Sequence, residues 1–416
     1  MRNVIDLLTE RGFIDQMTHL ELRERLNQPI RAYIGFDPTA DSLHLGNLVP
    51  IMGLAWFQRF GHTPFAVLGG ATGLIGDPSG KSVERNLLDE GTLAHNVRSL
   101  EKFFKKILQF EKGPRPVILN NNDWLSQFSL VDFLRDVGKH FRIGPMMAKE
   151  MVRTRLESEE GMSFTEFSYQ LLQGYDFHYL CKEHGVTLQM GASDQWGNIT
   201  AGIEYNRRLG GETLFGLTFP LLTRSDGKKF GKTEEGAIWL SEEKLTPYDF
   251  YQYLIRVPDA DVIKLLKMLT FLEMDEIRQI EAHMHVPNSA QKRLAFEVTR
   301  FVHGEKGLAS ALKVTEGMAP GKEVSLESAS LQEMPSCELP LSEVTGQKFV
   351  DVALKVGLIP SKSEGVKLIK NGGAYLNNER ISDPAFAISS ENIIDRAFVL
   401  LSAGKKKRIL IKIAKN

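Results

Sequence analysis

Cysteine is nearly absent from this chain: of 416 residues only Cys181 and Cys337 are cysteines, far apart and with no His or Cys at ligand spacing around either. That argues against a disulfide framework and against a zinc site, and points to a reducing compartment. No run approaches the ~20 apolar residues a membrane span needs. The opening MRNVIDLLTERGF is charged throughout, unlike a signal peptide, so the expectation is a cytoplasmic protein without membrane attachment. An excess of one charge is missing too. Lys and Arg number 51 against 52 Asp and Glu, a net charge of -1, so any affinity for nucleic acid must come from local asymmetry. What is present is ordinary for a globular protein of two to three domains, with 42% hydrophobic and 25% charged residues.

The chain is organised around IRAYIGFDPTADSLHLGNLVP, Ile30 to Pro50. Its first residues alternate and are β-prone, Asp37-Pro38-Thr39 breaks the pattern, and a helix is predicted from near Leu45. A loop holding Thr39, His44 and Asn47 at a helix start suits a polyphosphate, because helix N-termini present unpaired N–H groups and partial positive charge. A plain Pro turn with one satisfied histidine is the competing reading. Before this stretch, residues 2–28 carry apolar positions at helical spacing and predict two short amphipathic helices.

TPFAVLGGATGLIGDPSGKSVER predicts a second buried strand, Pro64 to Leu68, and a glycine-rich loop. Gly80-Lys81-Ser82 imitates the end of a P-loop, but Ile75 stands where that pattern needs glycine, and the glycines do not space as a dinucleotide fingerprint. What survives is a loop whose backbone can approach a ligand, edged by Asp77, Lys81 and Arg85. Strand, loop, helix, strand begins a parallel doubly wound sheet, with ligands expected beyond the strands' C-terminal ends. A strand is expected over Pro116 to Leu119, and the basic, Met-rich piece from Gly138 to Arg155 is expected to face solvent or an interface.

Ser163 or Thr165, with Glu166 close behind, predicts a helix start, and on that helix Tyr169, Gln173 and Asp176 share one face at i, i+4 and i+7. All three can hydrogen-bond, and Gly174 with apolar neighbours favours a lined pocket over a solvated face. A strand from Val186 to Met190 runs into a loop bearing Asp194 and Gln195, and another from Thr218 to Thr223 leads into RSDGKKFGKTEEG. There Lys228, Lys229, Lys232 and Thr233 make a cationic loop able to close on departing phosphates. From about Pro247 to Thr315 the pattern is wholly helical, residues 316–345 read as a Pro- and Ser-rich linker, and the tail from Gly346 holds thirteen Lys and Arg against six Asp and Glu, which suits RNA backbone contact, a charged solubility tail being the competing reading.

H-L-G-N at His44 to Asn47 and K-F-G-K-T at Lys229 to Thr233 resemble the HIGH and KMSKS motifs of class I aminoacyl-tRNA synthetases. YIGFDPTADSLHLGN, GGATGLIGDPSGK, FTEFSYQLLQGYDF, GASDQWGNITAG and DGKKFGKT are similar, in order, to the blocks of the tyrosyl-tRNA synthetases of bacterial or organellar type, and the tail after Gly346 resembles an S4-like module.

The resemblance implies an α/β fold: a Rossmann-like doubly wound parallel sheet catalytic domain over 1–235, an all-α anticodon-side domain over 236–318, a linker over 319–345 and a small α+β S4-like domain over 346–416. It implies a homodimer that uses ATP as substrate, with Mg2+ accompanying it and no protein metal site, to activate L-tyrosine and charge tRNA(Tyr). Residue by residue, Tyr33 and Asp176 would bind the phenol, Tyr169, Gln173 and Asp77 the ammonium group, and Asp194 and Gln195 the ribose and carboxylate region. Gly46 would let the adenine lie close, with Asp37 also on the ATP side. Thr39 and His44 would bind the γ-phosphate, and Lys81, Arg85, Lys229, Lys232 and Thr233 would gather charge from the pyrophosphate. One departure stands out: Asn47 replaces the second histidine of HIGH, a neutral donor in its place. The attacking group is the substrate's own carboxylate, so the chemistry needs positioning and charge stabilisation and no general base.

Overall fold

Strand β2, Arg31–Phe36, forms where the alternation predicts it, but both of its faces are covered: Ala32, Tyr33, Ile34 and Phe36 are all buried. In a computed structural model of the chain, residues 3–81, 84–85, 87–108, 113–228, 230–233, 236–317, 336–394, 397–404 and 407–414 are described, with backbone alone at 232 and 233. Lys229 and residues 318–335 of the expected linker lie outside the described residues.

Six strands make the main sheet: β1 (Gln16–Met17), β2, β3 (Thr63–Leu68), β4 (Val117–Asn120), β5 (Val186–Ala192) and β6 (Phe215–Phe219), in the order β1-β6-β5-β2-β3-β4. All neighbours are parallel except β1, an antiparallel edge on β6 in a stretch where only helices are predicted. Near-continuous apolar runs such as Thr63–Leu68 are what a sheet covered on both faces requires. β6 begins three residues earlier than expected and ends at Phe219, because Pro220 has no N–H to continue a ladder.

The helix Leu48–Arg59 crosses from β2 to β3, preceded by a 3-10 turn at Leu45–Asn47. The helix Phe164–His184 starts where Ser163 Oγ accepts from the Glu166 N–H and stops at Gly185, whose φ of 59° is the left-handed cap glycine allows. It packs beside the helix Trp196–Arg208 at a glycine pair, where a Cβ on Gly202 would lie 3.4 Å from the Gly174 Cα. Gly174 thus serves a close helix crossing, and its sequence neighbourhood alone did not reveal that. The Met-rich basic piece exposes Lys139, Arg142, Ile143 and Met147, as expected, but turns Met146, Val152 and Arg155 inward. Arg155 forms a bidentate pair with Glu166 at 3.0 and 2.7 Å, both side chains almost wholly buried.

The helical stretch comprises Pro247–Ile255, Asp259–Leu269, Met274–Ala282 and Ser289–Gly317, the last broken at Gly304. The chain divides into two compact units, one of Met1–Lys244 with Val257–Val298, the other of Leu245–Arg256 with Thr299–Asn416. The first also holds a short two-stranded hairpin, β7 (Lys232–Thr233) with β8 (Gly236–Ala237), and the second has its own five-stranded sheet: β9 (Ser336–Leu339), β10 (Ala374–Leu376), β11 (Glu379–Arg380), β12 (Phe398–Ala403) and β13 (Lys407–Ile413), ordered β11-β10-β12-β13-β9. β9 sits inside the stretch read as linker and pairs parallel with β13. The helices Phe349–Lys355 and Lys362–Lys370 cover this sheet with Phe349, Val352 and Ile369 in its core. The β10–β11 turn uses Asn377 and Asn378, both at positive φ, a conformation in which asparagine is favoured after glycine.

Candidate active site

The loops beyond the C-terminal ends of β2, β3, β4 and β5 carry the polar side chains that converge. At the end of β2, Asp37 accepts from Thr72 Oγ1 at 2.7 Å and from the Tyr169 hydroxyl at 2.8 Å. Burial pushes its carboxyl up to about 6, with the nearby Asp77 charge adding. Gly69 must be glycine here, since a Cβ would stand 2.0 Å from Asp37 Oδ1. A cleft of about 230 Å³ opens beside Asp37 and Thr39, lined also by Gly73, Gly76, Lys81, Glu84, Arg85 and Leu88.

Asp77 Oδ2 accepts from Gln195 Nε2 at 2.6 Å, and Oδ1 accepts from the Ser79 N–H at 3.0 Å and from Asn198 Nδ2 at 3.3 Å. Gln173 Nε2 donates to Gln195 Oε1 at 3.3 Å, and Arg85 Nε donates to the Asp77 carbonyl at 2.6 Å. Asp194 lies beside Gly80, where a Cβ would come 2.7 Å from its Oδ2. The structure therefore brings Asp37, Asp77, Tyr169, Gln173, Gln195 and Asp194 to one region.

Tyr33 and Asp176 are both buried, and the Tyr33 hydroxyl has no hydrogen-bond partner among the described residues. Burial, with the Asp176 charge second, pushes the Tyr33 phenol well up. Asp176 is held from two sides: Asn121 Nδ2 donates to Oδ2 at 3.0 Å and Trp124 Nε1 to Oδ1 at 2.7 Å. Burial outweighs those donors and raises its carboxyl to about 7. Asn121 also donates to Thr72 Oγ1 and accepts from the Ala71 N–H, so one carboxamide ties β3's loop, β4's end and Asp176 together.

Asn121, Trp124, Thr72 and Gln189 are site residues that sequence reasoning missed. Asn121 follows the C-terminal end of a parallel strand, a usable signal. Gln189 sits opposite Tyr33 in the β2–β5 register, with Oε1 buried and unpartnered among the described residues. Its signal is a polar residue inside a buried strand.

His44 caps the 3-10 turn, its Nδ1 accepting from the Gly46 N–H at 3.1 Å, while Asn47 Oδ1 accepts from the His44 N–H at 3.1 Å. In the neutral ring the proton then sits on Nε2. Asn47 uses its carbonyl oxygen within its own turn and keeps its NH2 for other partners. A Cβ on Gly46 would lie 2.9 Å from the His44 ring, so glycine is needed for this cap. The Lys-rich loop returns alongside. His44 bridges antiparallel to Trp239, the Leu45 N–H donates to the Ile238 carbonyl at 2.8 Å, and a Cβ on Gly231 would lie 3.0 Å from the Leu45 Cβ. The backbones of both signatures are thus in contact; the side chains of Lys232 and Thr233, like Lys229 as a whole, lie outside the described residues.

A doubly wound parallel sheet with an HLGN turn joined by backbone to a KFGKT loop defines a class I aminoacyl-tRNA synthetase. A family model described as tRNA synthetases class I (W and Y) matches residues 24–318, and one described as the tyrosine--tRNA ligase SYY-like C-terminal domain matches 326–411. The tyrosine--tRNA ligase of Protochlamydia amoebophila (strain UWE25) is 57% identical over 99% of both chains. The chloroplastic/mitochondrial tyrosine--tRNA ligase of Arabidopsis thaliana is 50% identical over 99% of this chain and 84% of that one. A crystal structure of a C-terminally truncated Aspergillus nidulans mitochondrial tyrosyl-tRNA synthetase superposes with a TM-score of 0.68 at 31% identity, covering 77% of this chain and 95% of that chain. The chain belongs to the tyrosine–tRNA ligase family.

Proposed function

We propose that the site described above activates L-tyrosine with ATP, releasing pyrophosphate and retaining tyrosyl-adenylate, and then passes tyrosine to the 3' end of tRNA(Tyr). The observation that carries this reading is a buried Asp176 carboxylate with lone pairs to spare beside the buried Tyr33 hydroxyl, which has no partner among the described residues: a phenol satisfies that hydroxyl, and a phenyl ring leaves it unpaired. Discrimination of tyrosine from phenylalanine on this principle reaches a ratio of ~10⁵ in this enzyme class.

In this reading Asp77, Tyr169 and Gln173 bind the substrate ammonium, Gln195 and Asp194 hold the carboxylate and ribose, and Asp37 with Gly46 takes the nucleoside side of ATP. Thr39 and His44, with Asn47 donating beside them, hold the γ-phosphate as in-line attack proceeds. Lys81, Arg85, Lys229, Lys232 and Thr233 stabilise the charge that grows on the leaving pyrophosphate. Mg2+ would accompany ATP as part of the substrate and supply neutralisation of phosphate charge. Losing one donor that acts only in the transition state is worth ~3 kcal/mol, about two orders of magnitude in rate.

Residues 1–235 do the chemistry, the helical stretch 236–318 faces the anticodon side of tRNA, and 346–416 is an S4-like RNA-binding domain beyond a linker. The excess of cations in that tail supports the last assignment. A homodimer is supported by exposed apolar side chains at Leu130 (75% exposed), Val131, Ile143, Met147 and Phe164. No helix among the described residues is long and apolar enough to cross a membrane, and a cytoplasmic location fits the sparse cysteines. Exchange of labelled pyrophosphate into ATP, run with tyrosine, tryptophan and phenylalanine, tests the function. Exchange driven by tyrosine alone is expected, and none with folded protein would refute it.

A further inference from the structure

We infer that Tyr179 is a positioning residue for recognition of the substrate hydroxyl: it holds the Trp124 indole in the orientation in which its N–H reaches Asp176. The inference rests on the assignment of Asp176 to the phenol. Trp124 is buried, and its single N–H donates to Asp176 Oδ1 at 2.7 Å. The outer torsion of a tryptophan is broad, so a turned ring can fill much the same apolar space while carrying its donor away from the carboxylate. The face of the indole lies flat against Tyr179, with ring centroids 4.5 Å apart and planes 16° from parallel.

Asp176 and Tyr179 are three residues apart on the helix Phe164–His184, hence on one face. The same helix therefore grips the indole twice, at its edge through the hydrogen bond and over its face through the stack. Tyr179 is half-buried, flanked by the Tyr175 ring at 6.4 Å and the His184 ring at 6.1 Å, which hold it over Trp124.

The consequence is for selection as well as stability. Asn121 and Trp124 each take one lone pair of Asp176, leaving the others for a substrate hydroxyl. When Trp124 no longer donates, the carboxylate is free to swing toward its remaining partners and is less committed to a phenol. Burial has already raised it to about 7, so loss of a donor also favours its protonated form.

The test uses the full-length chain and pyrophosphate exchange driven by tyrosine and by phenylalanine. Tyr179→Ala is expected to lower the tyrosine-to-phenylalanine ratio of kcat/KM by about tenfold, the scale of one aromatic stack, mainly through KM for tyrosine and with KM for ATP unchanged. Tyr179→Phe keeps the stack and stays within about twofold of the parent. In a Trp124→Phe background, Tyr179→Ala adds nothing further. Tyr179→Leu, which fills the site without a flat face, behaves as Tyr179→Ala and serves if that variant does not fold. In 15N-indole spectra the Trp124 N–H exchanges with solvent faster in Tyr179→Ala and Tyr179→Leu, and not in Tyr179→Phe.

An unchanged ratio in Tyr179→Ala and Tyr179→Leu beside a lowered melting temperature overturns the inference, since the stack is then packing alone. So does a further loss of equal size in the Trp124→Phe background. A parent chain without tyrosine-driven exchange overturns the functional reading and this inference with it; a parent that discriminates, with variants that discriminate equally, overturns this inference only.

Discussion

Asp176 shows how a buried carboxyl can be kept for a substrate. Its folded pKa, raised from 3.8 to about 7, lies above its unfolded value, so the free protein binds this proton more tightly when folded. The stability that follows is fully present below the unfolded pKa and is lost as pH rises through 7, at up to ~1.4 kcal/mol per pH unit. Binding runs the other way: a phenol donates to the carboxylate, so below pH 7 binding must first remove a proton. KM for tyrosine is therefore expected to rise several-fold between pH 8 and pH 6 while KM for ATP changes little, as steady-state exchange across that range would show. Asn121→Ala should move the midpoint upward, because it removes a donor to the charged form. Asp176, Gln173 and Tyr169 were legible in the sequence because helical spacing lines them up. Asn121 and Trp124 were not, because their partner lies more than fifty residues away and is chosen by how β4 and the helix Phe164–His184 pack.

Elements were legible where one period dominated and illegible where two segments meet. The helix Phe164–His184, its Ser163 cap and its Gly185 stop follow from local rules. The contact of the two signature loops does not, since single bridges such as His44–Trp239 leave no periodic trace. The Met-rich piece misled because Arg and Lys are most often solvated, whereas Arg155 is turned onto Glu166 near the start of the site helix. A buried pair broken on one side strands a charge. Arg155→Leu is expected to lower stability by about 3–5 kcal/mol, and Arg155→Leu with Glu166→Leu by much less. Chemical denaturation of the two variants separates these outcomes, and equal losses would mean that the pair matters for shape alone.

For the molecule as a whole, composition marks residues 247–315 as one helical stretch, yet Leu245–Arg256 and Thr299–Gly317 group with the C-terminal tail. The cause is burial at long range: Tyr248 and Val314 pack with Phe398, Leu400 and Leu410, and no local pattern announces a partner so far along the chain. This changes what removal of 346–416 should do. Every residue assigned to tyrosine or ATP lies before position 235, so tyrosine-driven exchange is expected to stay within a few-fold of the full chain, while charging of tRNA falls at least tenfold as the basic surface is lost. The truncation also uncovers Tyr248 and Val314, 7% and 2% exposed in the whole chain, so a lower melting temperature is expected too. Polar replacements at those two positions in the truncated chain should improve its solubility without restoring charging, because they cover an apolar face and supply no RNA contact. Exchange and charging measured on one preparation decide the matter: losses of equal size in both activities would place the tail in the chemical step and end the division of labour between the two ends of the chain.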